Sequence, residues 1–430
     1  MAVIARPRRR GSGPSAESAN YRLLYAANAV SRTGSTFFPV GLAFAVLDLT
    51  GSAADLGYTL GASALAELGF LLVGGAAADR WPRIRVLLIS ALCCAVIEVL
   101  TATALLTGSI DIWELVALSA TAGLSGAFSR PAAQGLIPMV APAGKLQRSI
   151  AQIRLANSTC FIIGPSLAGL LVAATSPGWA ILIDAASYAA ALPLLLRLRV
   201  RLGTTEPDGA EDSAGILGQI REGWTEFWAR PWLWTVVIQS AFVNMGDYAG
   251  FFLLMPVAAR KWYAGASSLG FLISATGVGF VVGGLVGLSW KPRHPLPVAV
   301  AYLLGSAAPL LALALEQPFW VIAVAALVGG FCSEQHGVHW DTLLQRHLPQ
   351  RIISRAYAYD QLGSELFTPI GYFFGGAILA AIGLVPALWV CVGLIAVPTA
   401  LVFSFAMVRG MSGPDQEAPM TGESALDSVS

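Results

Sequence analysis

The chain has 430 residues, of which 56% are hydrophobic and only 12% carry charge, with a formal net charge of +1. The charged share is about half that of ordinary soluble domains, which excludes a string of soluble modules. The near balance of charge gives no footing for a nucleic-acid partner.

A helix needs roughly 20 mostly apolar residues to cross a hydrocarbon core. Such stretches recur at 21 to 47, 54 to 78, 85 to 107, 112 to 138, 149 to 175, 178 to 198, 231 to 258, 265 to 289, 296 to 315, 318 to 345, 354 to 381 and 384 to 408. The expected fold class is therefore an all-α membrane protein of twelve transmembrane helices in two pseudo-symmetric six-helix bundles. The start, MAVIARPRRRG, is basic but lacks a following apolar run, so it reads as a tail over 1–20 rather than a signal peptide. The polar end, 410–430, reads as disordered. Cys93, Cys94, Cys160, Cys332 and Cys391 all fall within spans and are scattered, so no disulfide framework and no cysteine metal site is expected.

Short cytoplasmic loops collect Lys and Arg. With both termini inside, Arg80, Arg83, Arg85, Lys145, Arg148, Arg197, Arg199, Arg201, Lys291, Arg293, Arg346 and Arg351 fall at inner segments, while Arg260 and Lys261 fall in an outer loop. The expected location is the cell membrane, multi-pass, with cytoplasmic termini. The longest polar interval, 199–230, separates a six-helix bundle over 21–198 from another over 231–409. Within it Ile216, Ile220, Trp224, Phe227 and Trp228 share one helical face, the pattern of an amphipathic interfacial helix. Pro142, Arg148, Gly164 and Gly169 reappear at a constant offset as Pro349, Arg355, Gly371 and Gly376, and Gly74, Gly75 and Trp81 pair similarly with Gly283, Gly284 and Trp290. Two repeats of six spans follow from this register.

After the second span comes GGAAADRWPRIRVLL. Gly75, Asp79, Arg80, Arg83 and Arg85 stand where the signature loop of the major facilitator superfamily has its glycine, aspartate and basic residues, with Pro82 replacing that pattern's second glycine. In the fifth span Gly164, Pro165 and Gly169 resemble the glycine-proline motif of the superfamily's antiporter branch, with Ala168 and Cys160 departing from it. The loops LIPMVAPAGKLQRSIAQ and LLQRHLPQRIISRAYAYDQLG resemble the drug/proton antiporter-like exporter branch that includes the enterobactin exporter and macrolide efflux proteins. Gly34 is followed by Ser35, so the acidic residue that branch often carries in the first span is not carried over. The resemblance implies conformational gating by Gly75, Asp79, Arg80 and Arg83 and by Gly164, Pro165 and Gly169. RPAAQG, beginning at Arg130, imitates a proton-relay motif, but Arg130 lies about 26 Å along its span and reads as an inner-interface arginine.

Charges retained within a span meet a partner or line a cavity. Polar residues recur on one helical face as Asn28, Arg32 and Ser35; as Ser63 and Glu67; as Ser240, Asn244 and Asp247; as Glu334, Asp341 and Gln345; and as Gln361, Glu365 and Thr368. The resemblance implies a central cavity lined by spans 1, 2, 4, 5, 7, 8, 10 and 11. It therefore ranks Arg32, Glu67, Asn244, Asp247, Glu334, Gln361 and Glu365 above Glu98 and Asp184, which belong to supporting spans. His336 and His339 join Glu334 as expected handlers of protons or cationic substrate, because histidine titrates near neutrality. Phe37, Phe38, Trp234, Phe251, Phe252 and Tyr372 are candidate contacts for an apolar or cationic molecule.

These readings converge on a secondary transporter exporting a hydrophobic or amphipathic small molecule against proton influx, with no cofactor, in the lipid bilayer, as a monomer. No GxxxxGK[ST] loop occurs, so ATP-driven pumping is not expected. Import of a nutrient, lipid movement, and a membrane enzyme built on Glu334, His336 and His339 are the rivals. Residues two apart diverge on a helix and no HExxH pattern occurs, so no metal is assigned.

Overall fold

A computed structural model describes residues 14–142, 144–198, 224–225, 227–290, 292–348 and 353–405. Twelve helical stretches among them are long and apolar enough to cross a bilayer, and the described elements are helices. The amphipathic stretch 216–228 lies mostly outside the described residues, as does the end beyond 405. The first helix begins at Pro14, ahead of the span drawn from Tyr21.

Four spans are interrupted, and each interruption stands at a proline. A proline lacks the N–H that would bond four residues back and crowds that carbonyl. The first span (Ala19–Thr50) breaks after Ser35 and resumes at Phe38, with Pro39 in the new first turn. The ninth span (Pro295–Ala314) breaks before Pro309, and the eleventh (Ala356–Ile382) before Pro369. In the seventh span (Pro231–Trp262) the turn Ala249–Leu254 is π-helical, immediately ahead of Pro256. π-Bulges of this kind concentrate at functional sites. The span ends are set by local chemistry: Ser52 accepts the Asp55 amide, Asp111 and Glu114 form a capping box, and Gly51 and Gly108 adopt left-handed backbones with φ of 68° and 67°.

The chain divides into two compact units. The first comprises the described residues before 199 together with Pro256–Ser274, and the second the remaining ones. In the first, the second span (Ala53–Ala78) and the fourth (Ile112–Val140) pack backbone to backbone: a side chain at Gly74 would strike the Ala127 carbonyl, and one at Gly123 the Ser63 carbonyl. In the second unit the part of the eighth span (Ala266–Gly287) beyond Ser274 and the tenth (Phe319–His347) do the same, Gly330 resting on Thr276 and Gly279 on Leu327. Lipid offers no hydrophobic drive between helices, so close contact through small residues supplies the packing energy. Gly123 and Gly330 are separated by the same interval as Pro142 and Pro349, whereas Gly279 stands off the register that pairs Gly74 with Gly283. Leu65, Leu72, Leu196, Leu288, Trp320 and Leu401 are exposed, as large apolar side chains facing hydrocarbon would be.

Candidate functional site

In the first unit the second and fourth spans meet through charge. Arg130 Nη1 lies 2.9 Å from Glu67 Oε1. Gly126 clears the space: its missing Cβ would stand 3.5 Å from the Glu67 carboxyl carbon. The sequence reading put Arg130 at the inner interface without a partner; the glycine-lined crossing supplies one. Arg32, on the first span, is exposed. Asn28 of the same stripe donates from Nδ2 to Asn157 Oδ1 of the fifth span (Leu146–Ala174) at 2.8 Å, so that part of the stripe fastens two helices.

The signature-like loop is anchored by Arg83, whose Nη1 donates to the Gly135 carbonyl at 2.9 Å. A Cβ at Gly135 would fall 2.6 Å from that nitrogen, so the arginine occupies the space a side chain would take. Arg80 is exposed, and Gly75 faces open space. The Asp79 side chain lies outside the described residues. In the fifth span Gly164 receives Thr36 at the break of the first span, and Gly169 receives the backbone of Ala266 and Ser267. Ser166 and Ser274 hydroxyls join at 2.7 Å, and Gly270 rests on the Pro165 carbonyl. The glycine-proline motif thus holds two neighbours at backbone distance.

In the second unit the seventh and eleventh spans are tied by Asn244, whose Nδ2 donates to the Ser364 carbonyl at 3.0 Å. Glu365 accepts from the Thr368 hydroxyl at 3.0 Å and from the Tyr248 hydroxyl at 3.3 Å. Asp247 is half-buried one helical turn from Asn244, and Gln361 is exposed. Glu334 is half-buried, with its side chain over Gly283 and Gly284 of the eighth span.

The histidines do not join it. His336 Nδ1 lies 2.9 Å from the Ala299 carbonyl, which requires that nitrogen to be the donor, and His339 is boxed by Trp290 and Tyr302 at 5.3 and 6.2 Å between ring centroids. Both therefore face the ninth span and its approach, while Glu334 faces the eighth. The expected grouping of Glu334, His336 and His339 is corrected accordingly: on a helix of 3.6 residues per turn, positions two apart diverge by about 200°. Among the described residues no three His, Cys, Asp or Glu side chains converge as metal ligands.

A family model described as Major Facilitator Superfamily matches residues 24–359. The chain belongs to the major facilitator superfamily. Two curated relatives are the enterobactin exporter EntS of Escherichia coli O1:K1 / APEC, 23% identical over 78% of this chain and 79% of its own length, and the multidrug efflux pump Tap of Mycolicibacterium fortuitum, 26% identical over 77% and 84%. Among solved structures, the nucleoside transporter NupG superposes with a TM-score of 0.68 at 12% identity, over 91% of this chain and all of that one. A bacterial homolog of the human lysosomal transporter Spinster gives 0.64 at 18% identity, over 91% and 97%. At such identities the two structures speak for the fold alone. As a major facilitator superfamily member, the protein is an integral membrane transporter.

Sequence reasoning missed three polar groupings. Glu98 and Asp184, ranked low for lying in supporting spans, meet inside the first unit. Asp360 accepts the Trp340 indole N–H at 3.0 Å, and Gln335, fully buried, donates to the Gly283 carbonyl at 2.9 Å. A signal was present for Glu98, the one acidic residue in the third span (Arg83–Thr107). The partner was unreadable because 86 positions separate the two in the chain.

Proposed function

We propose that the protein is an exporter that couples proton influx to the efflux of a hydrophobic or amphipathic small molecule by alternating access. One observation carries the reading: ionisable side chains persist within spans of both units, with Glu67 and Arg130 paired in the first and Asp247, Glu334 and Glu365 in the second. Retaining a charge at membrane depth costs at least about 2.5–3.5 kcal/mol on insertion scales, a cost that function repays. The names of the relatives EntS and Tap support the outward direction.

Within this reading Glu334 is the coupling group, Arg32, Asp247, Asn244, Gln361 and Glu365 belong to the substrate and proton path, and the Arg83 anchor and the Gly164–Pro165–Gly169 stretch act in gating. The monomer functions with both termini in the cytoplasm, and no catalysis is involved. Inverted membrane vesicles with an imposed pH gradient test it, with ethidium as an amphipathic cationic probe. Wild type accumulates ethidium as protons leave, and Glu334→Gln, present in the membrane at wild-type level, does not. Full accumulation by the variant removes Glu334 from the mechanism, and movement only in the opposite direction removes export.

A further inference from the structure

The third span and the sixth (Pro177–Leu196) each carry one carboxylic acid, Glu98 and Asp184, and both are buried, at 4% and 1% exposure. Their carboxyls hydrogen-bond one another. Such a bond requires a proton, since two carboxylates have no hydrogen to share, and two negative charges in contact within apolar surroundings cannot both persist.

Asp184 Oδ1 lies within 3.3 Å of the Ser35 and Ser187 hydroxyls, whose single hydrogens are nearer the Ser31 carbonyl at 3.0 Å and the Asp184 carbonyl at 2.7 Å. Glu98 Oε2, buried, has no hydrogen-bond partner among the described residues. The one proton is therefore held between the two carboxyls, and the exposed Arg32 is the cation that acts on Asp184. The other groups around them are Cys94 on the third span, bonded to Ser125 of the fourth, and Tyr188 on the sixth, 3.3 Å from the Ser35 hydroxyl. Arg32 is the one full charge among these neighbours.

The pair lies against the break in the first span. Ser35 is the last residue of its first helix, and the Gly34 backbone rests on Ser187 and the Asp184 backbone. The Ser187 hydroxyl, 2.7 Å from the Asp184 carbonyl, is also 3.4 Å from the Ser31 carbonyl. We propose that Glu98 and Asp184 form a proton-binding site of the first unit, whose proton latches the third span to the sixth and, through Ser35 and Gly34, sets the bend of the first span. On release, the proton held between the two carboxyls leaves to water. Two facing carboxylates remain, with Arg32 to balance one of them, and their repulsion loosens the contact on which the bend rests. This goes beyond the assignment of Glu334 and does not depend on it.

Infrared difference spectroscopy on purified protein in lipid nanodiscs, with no transported molecule, tests the site directly. Wild type should show a protonated-carboxyl band at neutral pH that disappears on alkalinisation. Glu98→Gln should lack it, because its amide bonds Asp184 with no proton to lose, and Glu334→Gln should keep it. Hydrogen exchange of the amides over 31–38, corrected for intrinsic base catalysis, should rise with the same titration in wild type and stay flat in Glu98→Gln. Asp184→Asn provides a second near-isosteric variant: it leaves the Glu98 acid without its carboxyl partner and should displace the titration of the band. A band unchanged in both variants, a band that never titrates while the protein stays folded, or an exchange rise that survives in Glu98→Gln overturns the proposal. Since nothing is transported in these measurements, failure of the export reading leaves their outcome untouched.

Discussion

Arg130 Nη1 stands 2.9 Å from Glu67 Oε1, bridging two spans whose backbones are already in contact at Gly74 and Gly123. The arginine side chain is 63% exposed and the carboxylate 25%, so the pair is half-sheltered rather than sealed. Glu67→Gln and Arg130→Gln should each lower thermal stability in nanodiscs. A double-mutant cycle should return an interaction energy of about 0.5–3 kcal/mol. Additive single effects would mean that the two charges are held independently.

Arg83, at the start of the third span, and the Gly135 carbonyl, in the last part of the fourth, form one contact between two helices. Gly135→Ala places a methyl where the guanidinium lies, but the obstacle is the far end of a flexible side chain, so the protein should fold with a loss of about 1 kcal/mol. Ethidium accumulation in Gly135→Ala and Arg83→Ala vesicles should fall to a similar extent, and the double variant should be no worse than either. A further drop in the double variant would show that the residues act separately.

Backbone crossings predict a contrast between glycines. Gly123→Val drives a side chain into the Ser63 backbone, which cannot withdraw, and should cost about 1–3 kcal/mol or abolish recovery of monodisperse protein. Gly393→Ala, in a helix where nothing lies within 4 Å, should raise stability by about 0.5–1 kcal/mol. Equal behaviour of the two in fluorescence-detected chromatography after heating would deny the crossing its role.

The histidine placement separates two readings of pH dependence. His336 donates to Ala299 on the side away from Glu334, so His336→Gln should cost about 1 kcal/mol of stability yet leave the pH profile of ethidium transport unchanged. His339→Phe should fit the same aromatic box between Trp290 and Tyr302 and leave that profile unchanged too. A displaced profile in either variant would return the histidines to the proton path.

Periodicity was enough to reveal spans and stripes because a helix repeats its faces every 3.6 residues. Glu334 and Asp247 were therefore legible from spacing alone, and Arg83 from a local pattern. Distance along the chain hid the rest. Glu67 finds Arg130 across a glycine crossing, and Glu98 finds Asp184 where two apolar helices happen to present one acid each.

By itself the sequence determined that the chain must hide its backbone in apolar helices and how many such helices there are, since these follow from composition and from bonds that each helix makes internally. Only the tertiary structure decided which polar groups meet. Side chains such as His336 and Glu334 share a helix yet serve different neighbours, because helix rotation and crossing, set by small-residue contacts far apart in sequence, fix the direction in which each one points.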